Sequence, residues 1–228
     1  MKKLLALILV ISISLSLLAI SIEMNSYNKK YYTQSFERYG VVEVTGKSMD
    51  DLEVITEDII LYLKGRGGDE LLNTHFNERE VLHMRDVQDL FNLARTLKYT
   101  GLFLAILIVG YYIYKKEGLG FGRALFLGPF VIYGIFLFLA LIISRDFNKY
   151  FTYFHLIFFT NDLWILDPNK DLMIQMLPEP FFMGIALRIM LSFLIFMSII
   201  QLAGFILIRK GMKSDEKLSS QVEGDINN

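Results

Sequence analysis

LLALILVISISLSLLAISI, residues 4–22, follows Lys2 and Lys3 and carries no charged side chain. About 20 mostly apolar residues cross the hydrocarbon of a bilayer, so the run reads as a transmembrane helix. It is longer than a usual signal-peptide core, and no small-x-small cleavage site precedes Glu23, which predicts an uncleaved anchor. Three further segments share its character, at about 99–114, 124–144 and about 183–208. The second is short; it needs residues just before Tyr99, or a locally thinned bilayer, to complete a span. The chain has 228 residues, 54% of them hydrophobic. The fold class expected is therefore all-α: a polytopic membrane protein with four transmembrane helices.

Basic residues set the orientation. Lys2 and Lys3, then Lys115, Lys116 and Arg123, then Arg209, Lys210 and Lys213 all fall on one side of the four spans. The positive-inside bias makes that side the cytoplasm, with both termini there. The organisation predicted is an anchor at 1–22, an outward helical segment at 23–98, and spans two and three with a tight cytoplasmic loop at 99–144. An outward aromatic cap or re-entrant loop follows at 145–182, then a fourth span at 183–208 and a cytoplasmic tail at 209–228. The tail is polar and without aromatics from about Ser214, a composition expected to be disordered. A net charge of -1 gives no footprint for nucleic acid, and the absence of cysteine excludes disulfides and zinc–thiolate sites.

The first outward segment carries helix punctuation. Tyr27, Tyr31, Tyr32, Phe36 and Tyr39 fall at roughly helical spacing, and Gly40 stands where that helix would stop. Val41-Val42-Glu43-Val44 reads as a short extended piece. Ser48 with Asp51 resembles a capping box, Leu52, Ile55, Ile59 and Leu63 form one apolar stripe, and Gly65 marks a second stop. Asn77 with Glu80 repeats the start signal.

Chemistry concentrates on two of the three histidines. His83 and Asp86 lie three apart on this last helix, so a carboxylate shares a face with an imidazole and is expected to orient it. His155 lies in the other outward stretch among Tyr150, Phe151, Tyr153, Phe154, Phe158, Phe159 and Trp164, with Asn161, Asp162, Asp167 and Glu179 interleaved. An interfacial aromatic belt accounts for the rings but not for the ionisable groups between them. Pro168, Pro178 and Pro180 break any long helix there. Trp164, Asp162, Glu179 and Tyr150 are candidate substrate contacts, as is Arg188 at the outer end of the last span, where snorkelling is the simpler account. His75 has no patterned partner and reads as structural.

In order and spacing these motifs resemble a family of four-span bacterial membrane proteins, the lipoprotein intramolecular transacylases. The resemblance rests on E-x-x-H-M-x-D-V at Glu80–Val87, F-H-x-x-F-F from Phe154, W-x-L-D-P from Trp164 and P-E-x-F-F from Pro178. It implies an acyltransferase that moves the sn-2 acyl chain of a diacylglyceryl-cysteine lipoprotein to its α-amino group, giving an N-acylated lyso-form. It also implies that the two functional histidines are His83 and His155. Such a transfer needs a proton acceptor for the amine and a donor for the leaving alkoxide. His83, oriented by Asp86, is assigned as base or nucleophile and His155 as its proton-exchanging partner. No cofactor and no metal are expected; the partners expected are the diacylglyceryl lipoprotein and membrane lipid.

Two rival readings stay open from the residues alone. A metal-dependent membrane hydrolase would use His83, Asp86, His155 and Asp162, although neither histidine has a ligand-like spacing. A non-enzymatic scaffold or sensor would bind a partner through the outward segment instead.

Overall fold

The computed structural model describes the backbone of residues 2–226 and the side chains of residues 2–212. Nine α-helices and one 3-10 turn make up its regular structure, with no strand among the described residues. Four helices are long and apolar enough to cross a membrane: Lys2–Ser26 (α1), Glu78–Tyr114 (α5), Gly118–Ile143 (α6), and the Glu179–Met212 part of α9, which runs Glu179–Ile226. The second outward helix and the short second span are thus one uninterrupted helix, α5, so the missing span length is drawn from residues ahead of Tyr99. The backbone of the polar tail is helical to Ile226, which corrects the expectation of disorder; Asn227 and Asn228 lie outside the described residues.

Contacts divide the chain into two compact units. One comprises residues 1–19, 97–139 and 191–228, and its helices meet at small residues. A side chain on Gly204 would stand 2.8 Å from the Gly122 carbonyl and 2.6 Å from the Phe126 amide, so only glycine permits that approach. Gly101 likewise lies against the Ser12 carbonyl, and the Ser16 hydroxyl donates to the Lys98 carbonyl at 3.0 Å. Polar groups in lipid must be satisfied internally, and the Ser16 hydroxyl is.

The second unit comprises residues 20–96 and 140–190. Here α1 ends at Ser26 and a new helix, α2 (Lys29–Tyr39), starts on the Asn28 cap. The glycine stop is as expected: Gly40 takes φ +61° and its N–H returns to the Phe36 carbonyl. The next residues correct the sequence reading. Val41–Thr45 is a turn of helix (α3), not an extended piece, because left-handed glycines at 40 and 46 bracket it. α4 (Met49–Leu63) opens on the Ser48–Asp51 capping box and buries Leu52, Ile55, Ile59 and Leu63. The 3-10 turn Asp69–Leu71 leads to α5. α7 (Phe147–Phe158) and α8 (Leu172–Met176) carry the aromatic stretch, and the core gathers Tyr32, Phe36, Tyr62, Leu72, Met176 and Phe181.

At the head of α5 the capping pair does more than cap. Asn77 and Glu80 exchange backbone N–H bonds of 2.9 and 3.1 Å, and the other Glu80 oxygen accepts the Met173 N–H at 2.6 Å. Glu80 is 1% exposed. Removing this carboxylate strands two buried N–H groups, so Glu80→Ala is expected to cost about 3 kcal/mol. Glu80→Gln, which keeps one acceptor oxygen, is expected to cost less. Thermal unfolding in detergent, followed by Trp164 emission, measures both, and an unchanged midpoint in Glu80→Ala would contradict this account.

Candidate active site

His83 lies one turn after Glu80 on the polar start of α5, ahead of the apolar stretch that begins at about residue 99. That start is fixed by the Asn77 cap and the Glu80–Met173 bond, which turn His83 and Met84 inward. His155 is the one buried residue of α7, whose first turn is capped by the Asp146 carboxylate accepting from Lys149 N–H. Phe151 and Phe154 meet its ring edge-on at 4.5 and 5.4 Å, and Trp164 stacks on it at 4.8 Å. The two imidazoles, 72 residues apart in the chain, stand with centroids 6.0 Å apart, and Phe159 packs against both.

The nitrogens are held differently. Nδ1 of His155 lies 2.7 Å from the Phe151 carbonyl. A carbonyl only accepts, so Nδ1 carries the proton and Nε2 holds the lone pair. Nδ1 of His83 is shielded from solvent and has no partner. Burial lowers the His155 pKa below its ordinary value, against the pull of the Phe151 bond. Burial, then the neighbouring His155, push that of His83 down to about 4, opposed by the Asp86 carboxylate. Desolvation disfavours the charged ring in both cases.

Asp86 does not orient His83 in the manner the spacing suggests. Its carboxylate accepts from the Asn161 side-chain amide at 2.8 Å, while Nδ1 of His83 stays unpartnered. Its role is instead to hold a loop. Asn161 in turn accepts the Trp164 indole N–H on its carbonyl at 3.0 Å. Arg79 grips the next residue, donating to the Asp162 carbonyl and standing 3.7 Å from its carboxylate. Helix α5 thereby pins residues 161–164 from two points, and Trp164 is set flat on His155.

The remaining candidates make other contacts. Tyr150 packs edge-on to Tyr153 at 5.8 Å, Glu179 accepts from Asn148 at 2.6 Å, and Arg188 lies over the Tyr31 ring at 4.5 Å. His75 bonds Asp58 at 2.7 Å, the structural part expected of it. No cluster of three or more His, Asp or Glu side chains with metal-holding geometry occurs among the described residues. Sequence reasoning missed Phe151 as the partner of His155 and Asn161 as that of Asp86. The first has a local signal, since residue 151 lies one helical turn before residue 155; the second bridges distant segments and has none.

Trp164 is the chain's one tryptophan, so it reports directly on His155. Protonating a ring stacked on indole quenches its emission. The titration midpoint is expected below the ordinary histidine value of 6.5, with the step lost in His155→Ala. A midpoint at or above 6.5 would show that burial does not govern this imidazole.

Comparison with known proteins gives one consistent answer. The family profile of the lipoprotein intramolecular transacylase Lit matches residues 7–182. No curated protein sequence matches. Among solved structures, the membrane-integral lipoprotein intramolecular transacylase Lit from Bacillus cereus, determined in meso, aligns with a TM-score of 0.79 at 26% identity, covering 93% of this chain and 98% of that one. A variant of the same protein with one histidine changed to arginine gives 0.80 at 26% identity, covering 94% and 95%. One with a histidine changed to alanine gives 0.80 at 25% identity, covering 93% and 96%. The all-helical fold, the four apolar helices and a profile match over most of its length agree, and the chain belongs to the lipoprotein intramolecular transacylases, acyltransferases integral to the membrane.

Proposed function

We propose that this transacylase moves the sn-2 acyl chain of a diacylglyceryl-cysteine lipoprotein to the α-amino group of the same cysteine. The product is an N-acylated lyso-form lipoprotein. The reaction takes place at the outer face of the bacterial plasma membrane, with both termini in the cytoplasm. The observation that carries this reading is the pair of imidazoles 6.0 Å apart, one with its tautomer fixed.

The neutral amine attacks the ester carbonyl, forming the N–C bond. His155 Nε2, left with its lone pair by the Phe151 bond, takes the proton that the attacking nitrogen sheds. When the tetrahedral intermediate collapses, the C–O bond breaks and the imidazolium returns that proton to the glyceryl oxygen. His83 stands beside it as a neutral ring. This exchanges the roles first assigned from the sequence, because the bond at Nδ1 favours His155 as the base. No acyl-histidine is needed, since nucleophile and ester belong to one molecule.

His155→Ala is expected to lower the rate by about 10²–10⁴-fold, the usual worth of general acid–base catalysis. Mass spectrometry of the N-terminal lipopeptide measures the lyso-form; wild-type yield from that variant would remove His155 from the chemistry. The pH profile adds an independent check. Both imidazoles have lowered pKa values, so each takes up its proton below the ordinary 6.5. The acid-side loss of kcat/KM should therefore follow the substrate amine, which ionises at about 8, with no second inflection near ordinary histidine.

A further inference from the structure

Two buried side-chain nitrogens have no hydrogen-bond partner among the described residues: Nδ1 of His83 and Nε of Arg79. Buried polar groups are nearly always satisfied, and each exception calls for a reason. These two residues lie four apart on α5, so they share one face of the helix. The same stretch of helix ties down residues 161 and 162, through Asp86 and Arg79.

The guanidinium of Arg79 is divided in its duties. Its side chain is 41% exposed, with Nη2 on the Asp162 carbonyl and near that carboxylate, which ties down the loop. Nε is a different atom with a different setting: it is shut off from solvent and aimed at nothing the chain supplies. A loop tether requires the Nη2 bond alone. It gives no reason to bury a second, unanswered donor one helical turn from an unanswered imidazole nitrogen.

Acyl transfer supplies the reason. When the amine adds to the ester, the carbonyl oxygen gains a negative charge, and that charge needs donors fixed in advance. We propose that Arg79 is a catalytic residue whose Nε–H, together with Nδ1–H of His83, donates to this oxygen. The assignment rests on the acyl-transfer reading above and deepens it. A guanidinium N–H to an oxyanion is a charge-assisted bond, roughly twice as strong as a neutral one. In the ground state the ester carbonyl is a weaker acceptor, so the pair acts mainly on the transition state.

The test uses the full-length enzyme in detergent with a synthetic diacylglyceryl-cysteine peptide. Arg79→Lys keeps a positive charge able to hold Asp162 but places no N–H at the Nε position. The expected result is a kcat lower by about 10²-fold, the usual loss for one such donor. KM should be little changed and Trp164 emission should match wild type, since the loop stays in place. Added methylguanidinium should restore part of the kcat of Arg79→Ala. Wild-type kcat in Arg79→Lys would overturn the assignment. So would a loss accompanied by displaced Trp164 emission, which would leave Arg79 as a tether only. Either failure, set beside an inactive His155→Ala, would leave the histidine reading intact; an active His155→Ala would sink that reading instead.

Discussion

A buried carboxylate is tolerated only when its oxygens are filled, and Glu80 meets that condition with backbone from two places, one three residues before it and one 93 residues after it. One oxygen takes the Asn77 N–H at the head of α5; the other takes the Met173 N–H at the head of α8. Asp171 extends the lock, accepting from the Asn77 amide at 2.8 Å and from the Asp167 N–H at 2.6 Å. Neither helix can rotate or slide without stranding one of these groups. His83 stands one turn beyond Glu80, and the loop bearing Trp164 runs directly into Asp167. The lock therefore fixes both the ring that α5 presents and the segment that stacks on its partner.

What the sequence disclosed and what it hid divide along one physical line. Features set within a turn or two of chain were legible: the Ser48–Asp51 and Asn77–Glu80 caps, the Leu52–Ile55–Ile59–Leu63 stripe, and the stops at Gly40 and Gly65. So were the apolar spans, since length and hydropathy are local properties. The valine-rich 41–44 segment misled because β-branched residues favour strands only when a neighbouring strand is available. Between two left-handed glycines there is none, and a single helical turn packed near α8 forms instead.

The site shows the same division. That His83 and His155 belong together followed from topology, which sets both in outward segments on one side of the spans, and from the resemblance; their 6.0 Å separation is a tertiary fact. The i, i+3 relation of His83 and Asp86 was read correctly as a shared face and wrongly as a bond. A carboxylate at the edge of that face has a second suitor once a loop folds over it, and the Asn161 amide prevails. Glu80 was recognised as a cap, yet nothing near it in the chain announces Met173. Helix geometry predicts which side chains are neighbours, while long-range folding decides which of them actually bond.

The choice of partner for His155 has a chemical consequence. A carboxylate on Nδ1 would raise the basicity of the ring; the Phe151 carbonyl fixes the same tautomer without a full charge. Burial then outweighs the hydrogen bond, and the ring becomes a weaker base than histidine in water. For a demanding nucleophile such as an alcohol this would be a handicap. An amine attacks without prior deprotonation once it is neutral, and sheds its proton only as the bond forms. A weak base suffices for that step, and in the proposed reaction its conjugate acid is the stronger donor to the leaving glyceryl oxygen. Nucleophile and ester sit on one molecule, and well-oriented intramolecular reactions attain effective molarities of about 10⁵–10⁸ M. Most of the acceleration is then geometric. On the mechanism proposed here, the protein's share reduces to holding the lipid in place, keeping the imidazoles neutral and stabilising one oxygen's charge, in keeping with a site of so few polar groups walled by aromatic rings.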